Sequence, residues 1–181
     1  MKLKNRLWQI VAYLVSHPKI ADYLVNRAIK TPYYHLEGYM DRYWLFNRYS
    51  EIGKPDVIKK RFPFLPAIRV HHILRADLAK HPHDHPWNAR TIILDGEYTE
   101  KRMTDYFVRN GVEETHYQYY YRRPGNTATL KFGEYHHITE VTDGGVWTIF
   151  ITWKYMGGWG FWVNGRKIPH KEYIEAGGRV P

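Results

Sequence analysis

The sequence predicts a mainly β fold, an antiparallel sandwich or barrel preceded by a helical extension. From Tyr33 onward, short apolar and aromatic runs alternate with Gly, Pro and Asn at the spacing of antiparallel strands. Before Tyr33, apolar residues recur instead at helical intervals. Because 181 residues suffice for one compact core, we expect a helical extension over 1–32 and a β domain over 33–181.

Two short helices are expected in the extension. The first has one apolar stripe, formed by Leu7, Ile10, Val11 and Leu14. The second begins at Pro18, and its apolar face is formed by Ile20, Tyr23, Leu24 and Ala28. This pair is expected to pack on the β domain or on a second subunit. The first apolar run is interrupted by Gln9, is too short to span a bilayer and precedes no cleavage site, so we predict a cytoplasmic protein without membrane association.

Short segments rich in β-branched and aromatic residues predict the strands. Seven of them lie at 39–46, 67–76, 89–94, 116–123, 127–132, 136–141 and 146–153. Residues 161–168 predict a hairpin that turns at Asn164-Gly165. A short helix over 170–178, with Gly177 near its C-terminal cap, is expected to close the β domain.

Composition restricts the kind of site and partner. Because the chain contains no cysteine, disulfides, thiolate nucleophiles and zinc–thiolate sites are excluded. The net charge of +9 is spread along the chain without a dense basic run. Residues 116–123 alternate tyrosines with polar residues, which fits either a strand with a packed aromatic face or a surface that stacks single-stranded nucleic acid. No nucleic-acid-binding motif accompanies them, which favours the packed strand and a partner other than nucleic acid.

The tract "HPHDHPWN" over 81–88 carries the main functional signal. In an extended segment, side chains two residues apart share a face, so His83 and His85 can converge on one cation while Asp84 points away. Gly96 follows His85 by eleven residues, and "GEYHH" puts His136 three residues after Gly133. Imidazole suits iron, nickel, copper, zinc or manganese.

Two further histidines adjoin these elements and are expected to lie outside the metal site. Lys80 and Pro82 indicate a loop at His81, so this side chain is expected to be exposed or at a pocket rim. His137 alternates away from His136 and is expected at the surface or behind the site.

The order His-x-His, strand, Gly and then Gly-x-x-His resembles the two-motif signature of the cupin superfamily. The resemblance implies a double-stranded β-barrel, or jelly roll, in which His83, His85 and His136 bind a metal. More narrowly, "HDHPW", "GEYTE", "RRPG", "VWTIFIT" and "WGFW" resemble a group of cupin-like proteins from bacteria and their phages. This resemblance extends over about 39–162 and is specific for fold more than for function.

One position departs from the superfamily pattern. The glutamate that usually follows the second histidine by four or five residues is replaced by Ala89 and Arg90. A three-histidine site would remain, similar to that of the thiol dioxygenases in the same superfamily, and the same departure equally fits a lost site. Three carboxylates are available as substitutes, with no spacing that selects one: Glu97, Glu100 and Glu134.

A His-x-Asp facial triad of the kind that oxoglutarate-dependent oxygenases use is disfavoured. The residue two before Asp84 is Pro82, which cannot bind a metal. The other aspartates considered also lack a histidine two residues upstream: Asp56, Asp77 and Asp143.

The resemblance implies a metal-binding, dioxygenase-like enzyme that acts on a small polar or anionic molecule with Fe, Ni, Mn or Zn. A non-redox sugar or nucleotide isomerase or epimerase, and a non-catalytic ligand-binding module, remain alternatives. Arg90 would grip a substrate carboxylate or phosphate if it enters the barrel, and would be an ordinary solvated arginine if it points outward. Tyr98 is a second pocket candidate. Cupins often pair through sheet edges, so a homodimer formed there or through the helices is also an expectation.

Overall fold

Strands dominate the computed structural model, which describes residues 2–50, 59–179 and 181. The helices are α1 (Lys2–Val15), α2 (Pro18–Ala28) and α3 (His170–Glu175). The first five strands are β1 (Met40–Phe46), β2 (Ala67–Ile73), β3 (Trp87–Asp95), β4 (Tyr98–Arg109) and β5 (Val112–Arg122). The other five are β6 (Thr127–Leu130), β7 (His136–Val141), β8 (Val146–Tyr155), β9 (Gly160–Val163) and β10 (Arg166–Pro169).

The strands form two facing antiparallel layers. One sheet has the order β1-β2-β8-β3-β6, and the other has the order β5-β4-β7, while β9 and β10 form a hairpin. Backbone bridges from His83 to His136 and to Phe161 connect the histidine tract with β7 and β9. The predicted mainly β, jelly-roll barrel with N-terminal helices is therefore confirmed, as are all the predicted strands and the 161–168 hairpin.

Alternation along the strands separates the barrel interior from the face covered by the helices. On β3, Thr91 lines the interior cavity, whereas Ile92 and Leu94 point outward beneath α1 and α2. The helices cover this outer face with Trp8, Val11, Ala12, Val15, Ala21, Leu24 and Val25. None of the described helices is long and apolar enough to cross a membrane.

The predicted apolar face of α1 was partly wrong. Leu7, Ile10 and Leu14 are 62%, 57% and 53% exposed, and only Val11 of the predicted stripe packs on the barrel. In α2, Ile20 and Tyr23 are likewise exposed, at 41% and 68%. Apolar residues lie on more than one side of these helices, so periodicity alone could not select the side that packs on the barrel.

Strand β4 was not predicted from the sequence. It forms a long hairpin with β5 through Asn110 and Gly111, whose φ angles of 51° and 78° match the left-handed turn that Asn-Gly favours. Beyond Arg102, β4 pairs with β5 but no longer with β7, so its outer half projects from the sheet. Its polar composition reflects this exposure and hides the strand pattern. The missed strand carries Tyr98 and Glu100, which both matter at the site.

Candidate metal centre

A cavity of about 330 Å³ lies between the two sheets. Its wall is largely apolar, with contributions from β1, β2, β3, β4, β6, β7 and β8. The arginine and histidine side chains in the wall are Arg42, Arg69, His71, His83, His85 and His136. Polar recognition in this cavity therefore depends on a few groups set into an apolar surface.

His83, His85 and His136 come together at this cavity. One ring nitrogen from each lies within 4.8 Å of the others, and the Nε2 atoms of His85 and His136 are 2.8 Å apart. His83 and His136 are 5% and 6% exposed, and His85 is half-buried. The structure thus brings together the three histidines that the two motifs selected.

Backbone pairing sets the directions of these side chains. His83 and His136 exchange two backbone N–H···O hydrogen bonds of 2.9 Å each, and the Asp84 N–H donates to Gly160 at 3.0 Å. The tract is therefore held extended between β7 and β9, so His83 and His85 share a face. Asp84 points the other way, where its carboxylate accepts hydrogen bonds from the Gly160 N–H and from the Lys167 ammonium.

Glu100 supports His136 from behind. The two residues are joined by a 3.2 Å hydrogen bond between His136 Nδ1 and Glu100 Oε2, with the imidazole N–H donating. Glu100 is fully buried, and its Oε1 accepts hydrogen bonds from Arg102 and Arg122. This contact fixes the tautomer of His136 and leaves its Nε2 available for a metal, a common role for a carboxylate behind a metal-binding histidine.

The charges around Glu100 keep it ionised. Burial alone would raise the pKa of Glu100. The hydrogen bond and electrostatic interaction with His136 and the positive charges of Arg102 and Arg122 outweigh burial and lower the pKa to about 2. Glu100, one of the three carboxylates considered as substitute metal ligands, therefore binds His136 and the two arginines instead of pointing into the metal site. Neither Glu97 nor Glu134 lines the cavity.

His83 and His85 are neutral because they are buried. Burial lowers the pKa of His83 to about 3, even though Asp77 lies 3.7 Å from its Nδ1 and favours the charged form. Burial, reinforced by His136 and His83, also lowers the pKa of His85 well below its ordinary value. Neutral imidazoles carry the lone pair that a metal requires, so protons would not compete with a metal here at neutral pH.

The three residues fit a divalent transition metal. Nitrogens bound to one ion at about 2.0–2.1 Å lie roughly 3 Å apart. The Nε2 atoms of His85 and His136 match this at 2.8 Å, and all three ligand nitrogens lie within 4.8 Å of one another. His83 Nδ1 has no hydrogen-bond partner among the described residues and is turned towards Asp77, which leaves Nε2 as the free nitrogen. Nitrogen ligands without thiolate suit iron, nickel, manganese or zinc and do not select one.

The other predicted candidates lie in different places. Arg90 points out of the barrel, where its guanidinium lies 4.8 Å from the Trp8 ring centre and donates to Thr127 at 3.1 Å. Tyr98 is 5% exposed and lines the cavity, and burial followed by the charge of Glu100 raises its pKa. His81 is half-buried outside the cavity wall, with Nδ1 3.0 Å from the Tyr173 hydroxyl.

Two cavity residues were not singled out from the sequence, namely Arg69 and His71. They lie two residues apart on the inward face of β2, which also includes Ile73. The opposite phase of the same segment, Ile68 and Val70, is more apolar and would ordinarily be taken as the core side. The useful signal was the presence of two polar residues at the spacing of one strand face.

We predict that Glu100→Gln weakens both the fold and the site. Loss of the carboxylate charge leaves Arg102 and Arg122 without an ionic partner, so chemical denaturation should show about 3–5 kcal/mol lower stability. The metal affinity should fall about 10–100-fold because His136 loses its orienting acceptor. Glu140→Gln is the matched control, because Glu140 is exposed on the neighbouring strand. Equal metal affinities for the two variants would contradict this role.

We also predict that the metal-free protein loses stability as the pH falls from about 6.5 towards 4.5. In that range the unfolded chain binds a proton at His83, whose ordinary pKa is about 6.5, while the folded chain, with a pKa of about 3, does not. Stability is thus fully present above pH 6.5 and declines below it. His83→Gln should reduce the slope by up to about 1.4 kcal/mol per pH unit, measured by denaturation across this range. His116→Gln, at an exposed position, should keep the slope, and an unchanged slope in His83→Gln would refute the assignment.

Comparisons with known proteins identify the fold. No family model and no curated protein match the sequence. Hazelnut (Corylus avellana) vicilin is similar over 72% of this chain and 34% of its own, with 10% identity and a TM-score of 0.50. Oxalate decarboxylase from Bacillus subtilis is similar over 81% and 32%, with 10% identity and a TM-score of 0.48.

A third similar structure is hydroxypropylphosphonic acid epoxidase from S. wedmorenis, which covers 64% of this chain and 51% of its own, with 12% identity and a TM-score of 0.41. This chain spans about a third of the length of the first two proteins and about half of the third. At such identities the likeness concerns the fold alone. Together with the two antiparallel layers, the likeness to vicilin shows the double-stranded β-barrel fold that the cupin resemblance implies.

Proposed function

We propose that this protein is a metal-dependent enzyme that acts on a small polar or anionic molecule. The convergence of His83, His85 and His136 on one cavity carries the proposal. These residues would hold one divalent ion, with iron, nickel, manganese and zinc all compatible with the donors. The cavity beside them has the volume of a small-molecule site.

Three protein ligands leave coordination positions open towards the cavity. An ion bound there would supply Lewis acidity and, in the case of iron, a site for dioxygen chemistry. The protein residues supply the rest: Glu100 keeps His136 in its productive tautomer, and the apolar wall limits the entry of water. Tyr98 keeps its proton because its pKa is raised, so its hydroxyl can donate a hydrogen bond to a ligand in the cavity.

We rank dioxygenase-like oxidation above non-redox isomerisation. An isomerase or epimerase usually needs a positioned base for proton transfer. Among the described residues, no Asp or Glu side chain lines this cavity: Asp77 is occupied by Tyr39 and the Ile138 N–H, and Glu100 by its two arginines. The bases left for such a transfer are the histidines of the wall, and the metal would take three of these.

The test is the metal content of protein purified without a histidine tag and reconstituted separately with Fe(II), Ni(II), Mn(II) or Zn(II). Wild type should retain one equivalent of at least one ion, whereas His83→Ala and His136→Ala should lose it because two imidazoles cannot form the site. His81→Ala is the matched control, because His81 belongs to the same tract but contacts Tyr173 instead.

Two results would refute the proposal: wild type that retains no metal, or His83→Ala and His136→Ala variants that retain it as well as wild type. A non-catalytic ligand-binding module predicts a different pattern, in which small-molecule binding survives chelation of the metal. Comparing binding before and after chelation therefore separates this alternative from the enzyme.

A further inference from the structure

Arg69 is a buried arginine whose guanidinium is not fully hydrogen-bonded. It lies on β2, is 1% exposed and lines the same cavity as the three histidines. Its Nε and Nη2 atoms have no hydrogen-bond partner among the described residues. These two nitrogens carry three of the five guanidinium N–H groups, including the pair that donates in parallel along one edge.

Among the described residues, the groups that surround the Arg69 guanidinium are aromatic rings. Its Cζ lies 4.7–5.7 Å from the ring centres of Tyr33, Trp44, Trp87 and Phe150. Ring faces attract a cation, but they offer no acceptor to N–H groups that point outward in the guanidinium plane. No carboxylate of the described residues forms an ion pair with Arg69. An unpaired buried charge is costly to keep, which points to a partner that is not part of the described chain.

His71 is a second unpartnered group beside Arg69. It is 7% exposed, lines the same cavity, and its Nε2 has no partner among the described residues. The ring of His71 stacks on Phe150 with centres 4.9 Å apart. Arg69 and His71 are two residues apart on β2, so their side chains lie on the same face of the strand. Both can therefore reach one ligand.

The unpartnered groups lie close to the proposed metal ligands. Arg69 and His85 both contact the Phe150 ring, whose centre lies 5.3 Å from Arg69 Cζ and 5.6 Å from the His85 ring centre. The cavity of about 330 Å³ has the volume of roughly ten water molecules at about 30 Å³ each. One small molecule can therefore contact Arg69 and the histidine cluster together.

We infer that Arg69, with His71 beside it, binds the carboxylate of a small carboxylic acid whose remaining part extends towards His83, His85 and His136. A carboxylate presents two oxygens at the separation of two parallel guanidinium N–H groups. Arg42 lines the same cavity, but its Nε donates to the Tyr34 carbonyl. The buried guanidinium of Arg69 therefore matches one negative charge on a short apolar chain better than a phosphate dianion. The inference rests on the proposed function for the role of the metal, but the carboxylate contact can be measured independently.

The test is calorimetric titration of Zn(II)-loaded protein with propionate and lactate, and with the neutral amides propionamide and lactamide. Zinc has no redox chemistry, so binding is measured without turnover. Wild type should bind each acid more tightly than its amide. Arg69→Met should weaken binding of the acids at least about tenfold, the expected effect of losing charge-assisted hydrogen bonds, and leave the amides within about twofold.

Two further variants keep the test falsifiable. Arg69→Lys retains the charge without the two-pronged geometry and should give an intermediate loss. Arg90→Met is the matched control, because Arg90 packs on Trp8 outside the cavity and its removal should leave carboxylate affinity unchanged. Thermal unfolding of each variant reports whether the fold is retained.

Several results would overturn the inference. These are equal binding of acids and amides, no binding of either acid, unchanged acid affinity in folded Arg69→Met, or tighter binding of inorganic phosphate than of lactate. Metal content measured on the same samples separates this failure from that of the proposed function. If metal binds but Arg69 has no effect, only the inference fails. If no metal binds, the proposed function fails, and titration of the metal-free protein still tests Arg69.

Discussion

The backbone bridge between His83 and His136 is the contact on which the site depends. Two hydrogen bonds hold these residues side by side, although 52 residues separate them in the sequence. The bridge extends the tract between β7 and β9, so the two-residue alternation brings His85 to the same face. A register shift of one residue would turn His83 outward and bring Asp84 into the cavity. Pairing of Asp84 with Lys167 and the Gly160 N–H opposes that shift by giving the carboxylate its own partners.

Glu100 and Arg69 are buried charges whose surroundings have different consequences. Glu100 is surrounded by Arg102, Arg122 and His136, so its charge is compensated within the fold and stabilises one orientation of His136. Arg69 has aromatic neighbours and unpartnered N–H groups, so its compensation must come from outside the described residues. The first arrangement is what a rigid support requires. The second is what a ligand-binding group requires, because a donor whose hydrogen bonds are already formed within the protein gains little free energy from a ligand.

The cluster of three histidines could be predicted from the sequence because its signal is local spacing. The distances in sequence from His83 and His85 to Gly96, and from Gly133 to His136, depend on short turns and strands whose residues are recognisable one by one. The same reasoning left Arg90 undecided, because β3 has a register irregularity between Trp87 and Ala89. In the structure, the Ala89 side chain packs with Leu130 and Phe150, whereas Arg90 points towards α1. The position that is usually taken by a glutamate therefore holds only a methyl group.

The supporting residues could not be predicted because their positions depend on long-range pairing. Glu100 lies on a strand whose polar outer half projects from the sheet. Because of this polar composition, the sequence pattern of the whole segment does not predict a strand. Arg69 and His71 occupy the less apolar phase of β2, and only the packing of both faces shows that this phase points inward. The buried side of α1 was missed for a related reason, since apolar residues surround this helix and tertiary contact selects among them.

X-ray absorption spectroscopy of the metal-reconstituted protein tests the central claim most directly. The account predicts a first coordination sphere with three imidazole nitrogens at about 2.0–2.1 Å for a zinc-loaded sample, together with oxygen atoms from water or added ligand. In His136→Ala the imidazole contribution should fall or the metal should be lost. A sphere of oxygens without imidazole, or one that His136→Ala leaves unchanged, would contradict the three-histidine centre.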